Sequence, residues 1–136
     1  MATSEQDIAQ RKKLADILAK LSSIKPEDLA REDMLGKSLS FAEGITSFSR
    51  ALQLFRELNE IDLNLLPFNR LVSLFNVANQ AFNQFESIRN FNVDQNPQNP
   101  KAVRDSLISQ IQDLYDSWFE AISPTLAYSV RKGTDV

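Results

Sequence analysis

The sequence contains no histidine and no cysteine, and only 3 of its 136 residues are glycine. Histidine is the commonest general base near neutral pH and the commonest transition-metal ligand, so its absence excludes Ser-His-Asp and Cys-His catalysis and most zinc or copper sites. The absence of cysteine excludes disulfides and thiolate ligands. Only carboxylate, lysine, tyrosine or serine chemistry stays open. No pair of carboxylates lies on a predicted apolar face, where burial could adapt it to acid–base catalysis, so we expect no enzyme, no bound metal and no cofactor.

Long hydrophobic runs and a strong net charge are also missing. No apolar run approaches the roughly 20 residues that cross a bilayer, and residues 1–13 lack the apolar centre of a signal peptide. We therefore expect a cytoplasmic protein without a transmembrane segment. The net charge of −3 gives no overall attraction for phosphate backbones, so nucleic acid is not expected as a partner.

Prolines and one glycine divide the chain into segments whose apolar residues recur at helical spacing. The pattern predicts an all-α fold, an antiparallel bundle of about four helices, or five if the stretch between Pro26 and Asp33 is a short helix. Predicted starts lie near residues 4, 40, 67 and 100. Pro124 is expected to interrupt the last helix, with a continuation past Pro124 as the alternative. We assign residues 1–128 to one domain and 129–136 to a polar tail, which is a linker if the parent protein is longer.

The third predicted helix, about residues 67–91, carries a wide apolar stripe. Two heptad-spaced rows are expected inside, and a third row of phenylalanines lies beside them. These rows comprise Leu71, Ala78 and Phe85, then Leu74, Ala81 and Ile88, then Phe68, Phe75 and Phe82. Such width predicts contact with more than one neighbouring helix.

The opposite side of the same helix is rich in amides and poor in charge. Asparagine recurs there every seven residues, with a glutamine among the repeats, and we call this set the amide face: Asn69, Asn76, Gln80, Asn83 and Asn90. Interface centres are depleted in charge, because a neutral amide loses little when a partner replaces its water. The amide face is therefore our predicted partner-binding surface. The alternative is that an Asn-rich composition simply placed amides on a solvated helix.

A second hypothesis rests on the 9 phenylalanines of the chain. Helical bundles can hold ligands between their helices, so Phe48, Phe55, Phe75 and Phe82 could line a pocket for a small apolar ligand. Core packing explains the same residues without any ligand.

Charged clusters are better explained by structure than by function. The acids Glu27, Asp28, Glu32 and Asp33 lack the spacing of a calcium loop and suit the start of a short helix. A basic patch of Arg11, Lys12, Lys13 and Lys20 is small and is read as a solvated helix face.

Taken together, the sequence predicts a non-enzymatic module for protein–protein interaction or oligomerisation. Such a module could form one part of a larger signalling or scaffold protein. Its partner would be another protein or a second copy of the chain. The alternative is a helical bundle that binds a small apolar ligand.

Overall fold

Four α-helices and one short 3₁₀ turn make up the described part of the chain. The computed structural model describes residues 5–25, 39–90, 100–128 and 131, without the side chains of residues 39–45, 47–48, 100–105 and 107–108. The helices are α1 (Glu5–Ser23), α2 (Leu39–Asn59), α3 (Phe68–Arg89) and α4 (Pro100–Tyr128), and the 3₁₀ turn is Leu63–Leu65. The predicted all-α bundle of four helices is confirmed. The short helix considered between Pro26 and Asp33 lies outside the described residues.

The helices pack so that α1 contacts both α2 and α3, and α4 contacts the same two helices. Residues that come later in α2 contact residues that come later in α4. The ring of Phe55 meets that of Trp118, and beyond the two helix ends Ile61 forms an isolated β-bridge with Arg131. These helices therefore run in the same direction, as the second and fourth helices of an alternating bundle do.

One shared core lies between the four helices, and its largest residue is Trp118 of α4. The indole is 1% exposed. It meets the ring of Phe55 edge-on at 5.6 Å between centroids and the ring of Phe85 at 6.1 Å. Edge-on aromatic pairs of this kind contribute about 0.5–1.5 kcal/mol beyond the area they bury. Trp118 therefore joins α2, α3 and α4 at one point.

The predicted inner rows of α3 are confirmed. All six aliphatic, alanine and phenylalanine side chains of the two central rows are buried, namely Leu71, Leu74, Ala78, Ala81, Phe85 and Ile88. Burial varies along the flanking row of phenylalanines. Phe75 and Phe82 are partly buried against the core, whereas Phe68 is 41% exposed. In α1, Ile8 is exposed, unlike the buried Leu14, Leu18 and Leu21 further along the helix.

The connection from α2 to α3 is short and mostly buried, as its irregular apolar residues predict. Ile61, Leu63 and Leu66 face the core, whereas Leu65 is exposed. The side chain of Asp62 accepts a hydrogen bond from the Asn64 N–H at 3.1 Å and caps the 3₁₀ turn. The turn therefore satisfies its own backbone while its leucines cover the end of the core.

The prediction that Pro124 interrupts the last helix is wrong. The structure continues α4 through Pro124 to Tyr128. Proline removes one backbone hydrogen bond and disfavours a helix interior. Here Ile122 and Thr125 on either side are buried, and Leu126 packs against the core. The burial of these residues is the physical reason why the helix continues.

Other boundaries differ from the sequence prediction by one or two residues. The second helix begins at Leu39, one residue before its predicted cap Ser40. The third ends at Arg89 rather than at residue 91, and the backbone N–H of Asn90 closes it by donating to the Glu86 carbonyl. Differences of this size are usual where a terminal turn satisfies its own backbone groups.

Candidate functional site

The amide face lies on the solvent side of α3 and its C-terminal cap. All five of its residues are exposed: Asn69, Asn76, Gln80, Asn83 and Asn90. They lie opposite the buried rows of the same helix. The structure therefore places together, on one accessible surface, the side chains that the sequence pattern selected.

Gln80 differs from the asparagines because it is bonded to a neighbouring helix. The Nε1–H of Trp118 donates a hydrogen bond to Gln80 Oε1 at 3.2 Å. The indole is buried, so this bond satisfies a donor that would otherwise lack a partner inside the protein. Gln80 consequently has a structural role between α3 and α4, whatever else the amide face does.

The end of the amide face is also tied to local structure. The amide Nδ2 of Asn90 donates to Glu86 Oε2 at 2.9 Å, and the other oxygen of Glu86 pairs with Arg89. The charges of Glu86 and Arg89 therefore neutralise each other.

The other three residues of the amide face are Asn69, Asn76 and Asn83. Among the described residues, their side-chain amides make no hydrogen bond to the protein. They are available to a partner.

The four phenylalanines of the predicted apolar pocket occupy different environments. Phe55 is fully buried against Trp118, and Phe75 and Phe82 are partly buried at the edge of the core. The ammonium of Lys20 in α1 lies 5.7 Å from the Phe82 ring centroid. The side chain of Phe48 lies outside the described residues. A pocket that joins these rings stays a prediction.

A surface cavity of about 310 Å³ lies between α2 and α4, and its described lining contains no phenylalanine. Its lining is Arg50 of α2 with Gln112, Tyr115 and Asp116 of α4. The guanidinium carbon of Arg50 lies 4.7 Å from the centroid of the Tyr115 ring, a cation–π contact. Tyr115 in turn stacks along α4 on Phe119, with ring centroids 6.3 Å apart.

The sequence prediction did not find this cavity. Tyr115 and Phe119 are four residues apart, and this spacing indicates that two rings can meet on one helix face. Nothing local to α4 indicates that Arg50 packs on the same ring, because that contact depends on how α2 and α4 are aligned.

Two residues of the basic patch on α1 contact neighbouring elements. Arg11 of the basic patch donates from Nε to the Leu63 carbonyl at 3.4 Å, and Lys20 lies over Phe82. Both therefore contribute to packing between elements. The cluster of Glu27, Asp28, Glu32 and Asp33 lies outside the described residues, and no trio of acidic side chains elsewhere in the described ranges is placed to hold a metal ion.

Within residues 5–25, 39–90 and 100–128, no helix is both long enough and apolar enough to cross a membrane. No family model, no curated protein and no solved structure matches the chain. Any functional conclusion must therefore come from its own surfaces.

Proposed function

We propose that this chain is a non-enzymatic protein–protein interaction module and that the amide face of α3 is its contact surface. The observation that carries the proposal is the exposure of Asn69, Asn76 and Asn83, whose side chains the described bundle does not use. Asparagine is a mediocre helix former, so helix stability does not explain its repetition.

The electrostatics of α3 support a contact of this kind. Its charged residues are Arg70, Glu86 and Arg89, and the last two pair with each other. The centre of the face is therefore neutral, and desolvating it requires no charge to be removed from water. An amide offers both a donor and an acceptor, so a second copy of the chain can supply matching groups.

Solution mass over a range of concentrations tests the proposal. We expect a mass of two or more chains that falls on dilution. The double variant Asn76→Lys with Asn83→Lys should be monomeric, because like charges that meet in an interface cost several kcal/mol, a weakening of at least about 100-fold. The matched control is Gln53→Lys with Gln110→Lys, which changes two exposed amides on α2 and α4.

One result decides against the amide face, and another decides against self-association. An associated chain whose mass is unchanged by the double variant uses a different surface. A wild-type chain that is monomeric at every concentration does not self-associate, and its partner must be another protein. In that case the amide face is supported only by a partner that wild type and control capture and the double variant loses.

A further inference from the structure

We infer that the cavity between α2 and α4 is a binding site for a small zwitterion, a molecule that carries one carboxylate and one ammonium group. This inference is independent of the amide face, because the two surfaces lie on different helices. It starts from the cavity of about 310 Å³ and its lining of Arg50, Gln112, Tyr115 and Asp116. A volume near 300 Å³ is at the lower end of the range for small-molecule pockets.

The arginine is held in place by packing. Its guanidinium lies over the Tyr115 ring at 4.7 Å, and Tyr115 is itself supported by Phe119. An arginine that lies over an aromatic ring keeps N–H groups with which it can form hydrogen bonds. An arginine positioned in this way can meet a carboxylate with two parallel hydrogen bonds, and less side-chain freedom is lost when it does.

Among the described residues of the lining, the charge opposite to that of Arg50 is Asp116. Arg50 and Asp116 both line the space, yet within the described part of the chain they are not joined by an ion pair. A simple anion would meet Arg50 but be repelled by Asp116, and a simple cation would have the reverse difficulty. A molecule with both charges satisfies both groups, so the lining selects a zwitterion.

The polar residues of the cavity also limit the affinity. Arg50, Gln112 and Asp116 are exposed, and Tyr115 is only partly buried. Ion pairs at exposed positions are weak because water competes for both partners. We expect a dissociation constant of about 1–10 mM, which suits a ligand that is abundant or is part of a longer peptide.

Three probes with the same carbon chain test the charge requirement: δ-aminovalerate, valerate and pentylammonium. Binding is measured by NMR titration of the full chain, following the Arg50 Nε–H, the Gln112 side-chain amide and the Tyr115 backbone. We expect δ-aminovalerate to bind about fivefold more tightly than either singly charged probe. The probes are similar in size, so the difference reports the charges.

Substitutions assign each charge to a residue. Arg50→Gln should abolish the preference over pentylammonium, and Asp116→Asn should abolish the preference over valerate. The controls Lys13→Gln and Asp113→Asn remove exposed charges outside the cavity and should keep both preferences. Far-UV circular dichroism and Trp118 fluorescence check that every variant is folded.

Three outcomes overturn the inference. The probes bind equally, or none shifts these signals at concentrations up to about 100 mM, or the preference over pentylammonium persists in Arg50→Gln and the preference over valerate persists in Asp116→Asn. Selective binding supports the zwitterion site, whether or not the amide face binds a protein, when each substitution removes the preference assigned to it.

Discussion

Replacing Gln80 with methionine should destabilise the bundle by about 1–2 kcal/mol. The substitution removes the acceptor of the Trp118 Nε1–H hydrogen bond. A hydrogen bond contributes about 0.5–1.5 kcal/mol net, and a buried donor left unpaired costs about 1–3 kcal/mol. The indole is 1% exposed, but Gln80 itself is exposed, so water can approach after the change. The expected loss therefore lies in the lower half of that range.

Methionine is the appropriate replacement because it is unbranched, similar in length and nearly equal to glutamine in helix propensity. The measurement is urea denaturation followed by far-UV circular dichroism, which does not depend on the indole. As matched controls, Asn76→Met and Asn83→Met change exposed amides without such a bond, and each should alter the free energy of unfolding by no more than about 0.5 kcal/mol.

A double-mutant cycle isolates the hydrogen bond from other effects. In a Trp118→Phe background the donor is absent, so Gln80→Met should cost close to zero. The coupling energy between the two positions should therefore be about 1–2 kcal/mol. If Gln80→Met destabilises both backgrounds equally, the Trp118 to Gln80 bond does not contribute and the structural role given to Gln80 is wrong.

Three further predictions concern stability and use the same denaturation assay. Phe85→Ala should cost about 3–5 kcal/mol, since it leaves a cavity beside Trp118; a loss below 1 kcal/mol would contradict a close-packed core. Thr125→Val should stabilise the chain by about 1 kcal/mol, because the buried Thr125 hydroxyl has no hydrogen-bond partner among the described residues. Destabilisation would instead indicate that this hydroxyl does form a hydrogen bond. Arg56→Met should lower the free energy of unfolding by about 1 kcal/mol, because it removes the 2.7 Å hydrogen bond from Arg56 Nη2 to the Ile24 carbonyl. An unchanged denaturation midpoint would show that this bond between α2 and the end of α1 is unimportant.

The fold was predictable because helix burial has a period that a sequence records. In α3, the spacing of Leu71, Ala78 and Phe85 identified the inner side, and these three residues are fully buried. The same spacing gave the outer side, so the exposure of the amide face followed. Both results depend only on the geometry of one helix.

Contacts between helices were not predictable in the same way. Trp118 and Gln80 are 38 residues apart, and their hydrogen bond depends on the alignment of α3 with α4. The contact of Arg50 with Tyr115 depends likewise on α2 and α4. Local rules also failed at Pro124, where tertiary burial outweighs the preference of proline against helix interiors.

The amide face can now be separated into parts with different explanations. Gln80 satisfies the Trp118 indole, and Asn90 caps α3 and contacts Glu86. Two of the five residues are thus explained by contacts within the bundle, and the proposed interface depends on Asn69, Asn76 and Asn83. Asn76 and Asn83 lie in the middle of the face, and no such contact of their side chains accounts for them within the described bundle. Because interaction energy concentrates at the centre of an interface, these two positions decide whether α3 binds a partner.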